Sequence, residues 1–303
     1  MKPTFRQALY GLAVADAIGN PLEFQSKVTE QDFLRSTNAD ELRISDDTQM
    51  ALFCAEGLIQ GHSPAESYKR WYQTQTRGSK GEGLLQFDSL FHREAPGTTC
   101  MSACVQLIAN QPVRNDSKGN GGLMRLLPIP YLADTTDEAI EWAIEDTDTT
   151  HKHPMAAPCS KVLTMLHYLL LQGEDWNAAI FSAQSCLSDT AKDREIRSKV
   201  NQVLTSISHF EEAQQNWRAG VAEEALALAI GAVHYGRASG YKSIIEKAIC
   251  FHGDSDTVGA IAGGLAVSAG CTVPMEWVNK LNALDAVNYI CDLWKKIRCS
   301  VGF

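Results

Sequence analysis

Two short stretches of the chain place acids and hydroxyls immediately before apolar segments: Ser45-Asp46-Asp47-Thr48 and Asp254-Ser255-Asp256-Thr257. Asp and Thr are ordinary helix-starting residues, and adjacent acids are favoured there by the helix dipole, so either stretch alone reads as a charged first turn. Together they suggest a second chemistry. Carboxylates that converge on one cavity repel one another, and burying them is costly unless cations compensate. Hard divalent ions such as Mg²⁺ or Mn²⁺ accept carboxylate, hydroxyl and water oxygens in an octahedral shell. Two such ions sharing a bridging carboxylate use about five or six oxygen donors. Ser45, Asp46, Asp47, Asp254, Asp256 and Thr257 supply that many. Spacing alone does not show that the two stretches meet.

Two further segments share this mixture of small, polar and acidic residues. "VADAIGNPLEF" holds Asp16, Asn20 and Glu23, and "GNGGLMRLLPIP" spans 119–130. Glycine-rich loops let backbone N–H groups approach phosphate oxygens, although a helix-start turn has the same composition. The loop is not a Walker motif and lacks Gly-x-Gly-x-x-Gly, so nucleotide-fold readings fail. His151 and His153 could form a His-x-His metal pair, but the hard oxygen donors elsewhere argue against zinc. Arg125 reads as a structural partner of a carboxylate. There is no Gly-x-Ser-x-Gly elbow for serine hydrolysis, and among the cysteines only Cys159 has a polar helix-start context.

The elements that must position these groups are helical. "ALYGLAVADAIG", "TQMALFCAEGLI", "TMLHYLLLQ", "VAEEALALAIGAVHY" and "DAVNYICDLWKKI" repeat apolar residues at three- and four-residue spacing. Ser63 and Thr135 are placed to cap helices, each with an acid in the first turn. The expectation is an all-α chain of many short helices forming a single domain over 1–303, with loops at 25–45 and 76–98. The length of 303 residues is enough to bury a large core. A formal net charge of −9 argues against a nucleic-acid-binding face. The nine cysteines include no Cys-x-x-Cys and read as free buried thiols of a reducing, cytoplasmic compartment. The N-terminal apolar stretch is interrupted by Asp16 and carries no cleavage signal, so no leader is expected. The apolar run 258–273 contains four glycines and is shorter than the roughly 20 residues of a membrane span.

The motifs in order are Asp16…Gly19-Asn20-Pro21…Glu23, Ser45-Asp46-Asp47-Thr48-Gln49-Met50, Gly119-Asn120-Gly121…Met124-Arg125, Thr150-His151 and Gly253-Asp254-Ser255-Asp256-Thr257. Over about residues 8–280 this series resembles the ADP-ribosylglycohydrolase family. The resemblance implies an all-α fold with a binuclear Mg²⁺ or Mn²⁺ centre at the base of an ADP-ribose cleft. It assigns Ser45, Asp46 and Asp47 as one set of metal ligands and Asp254, Asp256 and Thr257 as the other. Glu23, Asp47 and Asp254 take catalytic roles. Gly97 and Thr98 of "EAPGTT", with Asn120, Gly121 and His151, fall beside the ligand. Ser45 stands where the family usually has Thr and keeps the hydroxyl. Ala15 replaces a usual Gly, and His252 replaces another, where it either contacts substrate or packs beside the site. The implied reaction removes ADP-ribose from a protein side chain, arginine first among them, with O-linked conjugates as an alternative. A binding protein that neutralises an ADP-ribosyltransferase toxin is the competing reading. Retention of every acidic ligand favours the enzyme.

Overall fold

The computed structural model describes residues 4–76 and 78–300. Among them sixteen α-helices follow one another without a strand. In chain order they are α1 (Phe5–Gly19), α2 (Glu30–Thr37), α3 (Asp46–Gln60), α4 (Pro64–Gln75), α5 (Thr98–Ile108), α6 (Ile129–Leu132), α7 (Thr136–Thr150) and α8 (Ala156–Leu171). The second half continues with α9 (Trp176–Ser185), α10 (Ala191–Thr205), α11 (Ile207–Asn216), α12 (Ala222–Gly236), α13 (Tyr241–Ile249), α14 (Ser255–Ser268), α15 (Met275–Val278) and α16 (Leu284–Ser300). The all-α expectation is met. No helix among the described residues is long and apolar enough to cross a membrane.

Local chemistry accounts for many of the starts. Ser63 and Glu66 form a reciprocal capping box at α4, and the Thr135 hydroxyl accepts the Glu138 N–H at α7. The stretch 25–45, expected to be a loop, contains α2. Thr29 and Asp32 cap it reciprocally. Only Phe33, Ser36 and Thr37 of its eight residues are buried, so its apolar face is too narrow to register as a helical period. By contrast, 78–97 holds only two short 3₁₀ turns, at Gly83–Gln86 and Asp88–Leu90.

Helices α1 and α14 form the spine that carries the site. Every residue of α14 from Ser255 to Ser268 is buried. Its small residues serve close approach to α1. A Cβ on Gly263 would lie 2.3 Å from the Gly11 carbonyl oxygen and 2.6 Å from the Ala15 Cβ. At the end of α1, a Cβ on Gly19 would lie 2.7 Å from the Asp256 Cα. The tight pairing therefore sets the C-terminal turn of α1, bearing Asp16, against the first turn of α14, bearing Asp256. Cys54, Cys100, Cys104, Cys159 and Cys291 are free and buried, while the free Cys186, Cys250 and Cys271 are only partly so.

Candidate metal centre and ligand cleft

The two acidic stretches meet. One cavity of about 520 Å³ is lined by Glu23, Asp46, Asp47, Asp254, Asp256 and Thr257 on its floor. That size falls within the roughly 300–1,000 Å³ of small-molecule sites. Gly97, Thr98, Asn120, Gly121 and His151 also line it, together with Gly220 and Val221. Helices α3, α5, α12 and α14 all begin at this cavity. Their N-terminal N–H groups and dipoles favour negative charge, whether from the floor carboxylates or an anionic ligand.

Asp16, Asp254 and Asp256 are each held by an identifiable hydrogen bond. Asp16 is fully buried and holds the start of α3: its carboxylate accepts the Ser45 N–H at 3.0 Å, the Thr48 N–H at 3.2 Å and the Thr48 hydroxyl. Ser45 is the N-cap of α3, its Oγ accepting the Asp47 N–H at 3.2 Å. The hydroxyl assigned to metal by resemblance thus already has a capping contact, and Ser45 is not among the cavity-lining residues. Asn120 Nδ2 donates to Asp254 Oδ2 and to the Ala219 carbonyl, both at 2.8 Å. The Asp254 N–H donates to the Arg218 carbonyl at 2.9 Å, fixing the N-cap of α14. Asp256 Oδ1 accepts the Thr257 N–H at 2.9 Å.

The electrostatics are severe. Burial, reinforced by neighbouring carboxylates, pushes Asp46, Asp47 and Asp256 well above the usual carboxylate range. Burial raises Asp254 as well and carries Asp16 to about 6, even though hydrogen bonds pull both down. Glu23 rises to about 8 through burial and the charges of Asp254 and Asp16. Among the described residues, no lysine or arginine makes an ion pair with any of these acids. Nothing among the described residues donates a hydrogen bond to the buried Asp47 Oδ2 or Asp254 Oδ1. Asp16, Asp47 and Asp256 offer oxygens within 4.8 Å of one another, as do Glu23, Asp254 and Asp256. Two carboxylate triads sharing Asp256, with orphaned oxygens, fit hard divalent cations.

His252 does not line the cleft. Its Nδ1–H donates to the Gln25 carbonyl at 2.6 Å, and the Phe24 N–H donates to the Gly253 carbonyl at 2.9 Å. Of the two roles open to His252, the structure supports the packed neighbour: it ties the segment bearing Glu23 to the start of α14. That segment includes Phe24 in the left-handed region, at φ 54°, a conformation costly for an aromatic residue and typical of functional rims. Cys100 reaches the cavity wall, but burial pushes its thiol to about 12; Cys159 is buried in α8, and burial raises its thiol as well. Neither is poised as a nucleophile. Sequence reasoning did not find Gly220 and Val221, because the start of α12 carries no side-chain cap and no motif. Nor did it see that Asp16, one acid in an apolar helix, braces α3.

Known proteins share this architecture. The chain is 25% identical over 299 residues to the ADP-ribosyl-[dinitrogen reductase] glycohydrolase of Rhodospirillum rubrum, covering 91% of this chain and 89% of that protein. It is also 25% identical over 289 residues to the ADP-ribosylarginine hydrolase Tri1 of Pseudomonas putida (strain GB-1), covering 90% and 73% respectively. A solved structure described as an ADP-ribosylglycohydrolase-related protein complex superimposes with a TM-score of 0.71 at 24% identity, covering 96% of both chains. The sequence model of ADP-ribosylglycohydrolases matches residues 2–300, and with that span it is to the ADP-ribosylglycohydrolase family that this chain belongs.

Proposed function

We propose that this protein hydrolyses the bond between ADP-ribose and a protein side chain, arginine first, using two Mg²⁺ or Mn²⁺ ions. The observation that carries the reading is the pair of carboxylate triads with orphaned oxygens at the floor of a ligand-sized cleft. The arginine linkage is favoured by the relative named as an ADP-ribosylarginine hydrolase. Asp47, Asp254 and Asp256 would hold the ions, with Asp46 and Thr257 beside them and Asp16 and Ser45 behind. When bound, such ions supply Lewis-acid polarisation and a water of lowered pKa.

The protein's own groups do the remaining work. Breaking the bond from C1 of the distal ribose to the guanidine nitrogen leaves positive charge on the sugar ring. The floor carboxylates face that charge. Glu23 sits on a short non-helical segment at the edge of the acid cluster. Burial and the neighbouring charges hold its carboxyl at about 8; with those charges offset by bound cations, it is left ionised to accept a proton from the attacking water. The hydroxide portion adds to C1, and the proton passes to the departing guanidine. Asn120 orients Asp254 through its 2.8 Å hydrogen bond. Gly97, Thr98, Gly121 and His151 border the ligand. The helix starts of α5 and α12 suit its diphosphate. An ADP-ribosylated protein is the partner this reading requires, and the cytoplasm is the compartment proposed for it.

The decisive assay follows ADP-ribose release from an arginine-modified model protein with Mg²⁺, with Mn²⁺ and with EDTA, alongside Asp254→Ala. Metal-dependent release that the variant lacks is the expected result. Equal release by Asp254→Ala would remove the acidic cluster from the mechanism.

A further inference from the structure

The ligand-facing edge of His151 is set from behind by residues that never reach the cleft. Arg125 is fully buried. Its Nε–H donates to Asp146 Oδ1 at 2.7 Å, and one Nη2–H donates to the Asp146 carbonyl at 2.8 Å. Its guanidinium carbon lies 4.0 Å above the Tyr68 ring centre. The guanidinium is therefore immobile, and its Nη2 also donates to Thr150 Oγ1 at 2.8 Å. Thr150 Oγ1 lies 2.9 Å from His151 Nδ1.

The proton count in this line has one solution. Arginine only donates, so Thr150 Oγ1 accepts from it. Thr150 is completely buried, and among the described residues His151 Nδ1 is the one acceptor in contact with its hydroxyl proton. A buried hydroxyl proton without an acceptor is costly. Nδ1 must then be the acceptor, which leaves the proton of a neutral ring on Nε2. The Nε2 edge faces the glycine-rich loop: a Cβ on Gly119 would stand 3.2 Å from Nε2, and one on Gly121 would stand 3.3 Å from it. The same loop is tied to this turn by Asn115, whose Nδ2 donates to the Thr150 carbonyl at 2.8 Å.

We infer that Arg125 and Thr150 are positioning residues that lock His151 in its Nε2–H tautomer, so that it presents a neutral hydrogen-bond donor to an oxygen of the bound ADP-ribose. The inference rests on the functional reading for the identity of the ligand, and on geometry alone for the tautomer. Burial, helped by the Arg125 charge, also lowers His151 to about 3. The donor accordingly stays neutral at working pH.

Two measurements test it. With ¹⁵N-histidine labelling, long-range ¹H–¹⁵N correlations of the wild type at pH 7 should show His151 protonated on Nε2; protonation on Nδ1 overturns the relay. Calorimetric titration with ADP-ribose should show Thr150→Val binding about tenfold more weakly, the equivalent of one lost neutral hydrogen bond. Thr150→Ser should match the wild type. His151→Ala should lose a similar factor, and adding Thr150→Val to it should cost nothing more. Unchanged affinity in Thr150→Val, or additive losses in the double variant, would overturn the proposal. If the wild type itself binds no ADP-ribose, the functional reading falls, and the tautomer measurement still decides the relay by itself.

Discussion

At the scale of single residues, the site is a place where stability has been given up for chemistry. Asp47 is buried among three further acids that raise its pKa, with an oxygen that meets no donor among the described residues. A carboxyl raised above its unfolded value of 3.8 contributes stability below that pH and loses it as pH rises through the folded value. At neutral pH without cations, Asp47 therefore destabilises the fold. We expect Asp47→Asn to melt a few degrees higher than the wild type in EDTA, because a neutral buried amide costs less than an unpaired charge. The same variant should lose hydrolysis by at least about a hundredfold and show no Mg²⁺-dependent rise in Tm. Thermal unfolding in EDTA and in Mg²⁺ reads both effects; a lower Tm than wild type in EDTA would mean the cluster is not strained.

At the scale of elements, the geometry depends on how closely α1 and α14 approach. A Cβ on Gly263 meets backbone, the Gly11 carbonyl oxygen, so only separation of the helices can admit it. Gly263→Ala should cost about 1–3 kcal/mol by denaturant unfolding and weaken Mg²⁺ binding by moving Asp16 from Asp256. Gly220→Ala, with open space at its Cβ, is the control and should be neutral in stability. Equal effects from the two would show that the helix approach does not set the site. Much of this was legible in the sequence. Acids at the starts of α3 and α14 announced themselves because helix caps are local, and the glycine loop 119–121 stood out by composition. What stayed hidden was non-local. The run 258–273 shows small residues but not that they face Gly11 and Ala15. The sequence leaves His252 open between substrate contact and packing, and only the fold brings its ring to the Gln25 carbonyl. Helix α2 was missed because its burial rests mainly on Phe33 and its start on a single capping box.

At the scale of the whole molecule, the acids of the cleft and the buried His167, which lies between α8 and α14, impose two pH dependences of opposite sign. The acids of the cleft favour the folded state as pH falls. His167 opposes it: burial holds this residue, on α8, near 3 against an ordinary value of 6.5. Its Nδ1 lies 3.0 Å from Ser268 Oγ, remote from the acid cluster. Below pH 6.5 the unfolded chain takes up a proton at this position that the folded chain refuses, so stability is full above 6.5 and drains as pH falls toward 3. Each pH unit within that window is worth about 1.4 kcal/mol. His167→Asn removes this term and leaves the acids untouched. The variant should be less stable than the wild type at pH 7.5, because the smaller side chain leaves a cavity beside Gly264. Between pH 7.5 and 5.5 it should then regain about 1.4 kcal/mol relative to the wild type. Urea unfolding of both proteins in one EDTA buffer series measures the difference directly, with the acidic contribution cancelling between them. A constant gap across those pH values would show that His167 takes up a proton inside the fold, and the sealed packing between α8 and α14 would have to be redrawn.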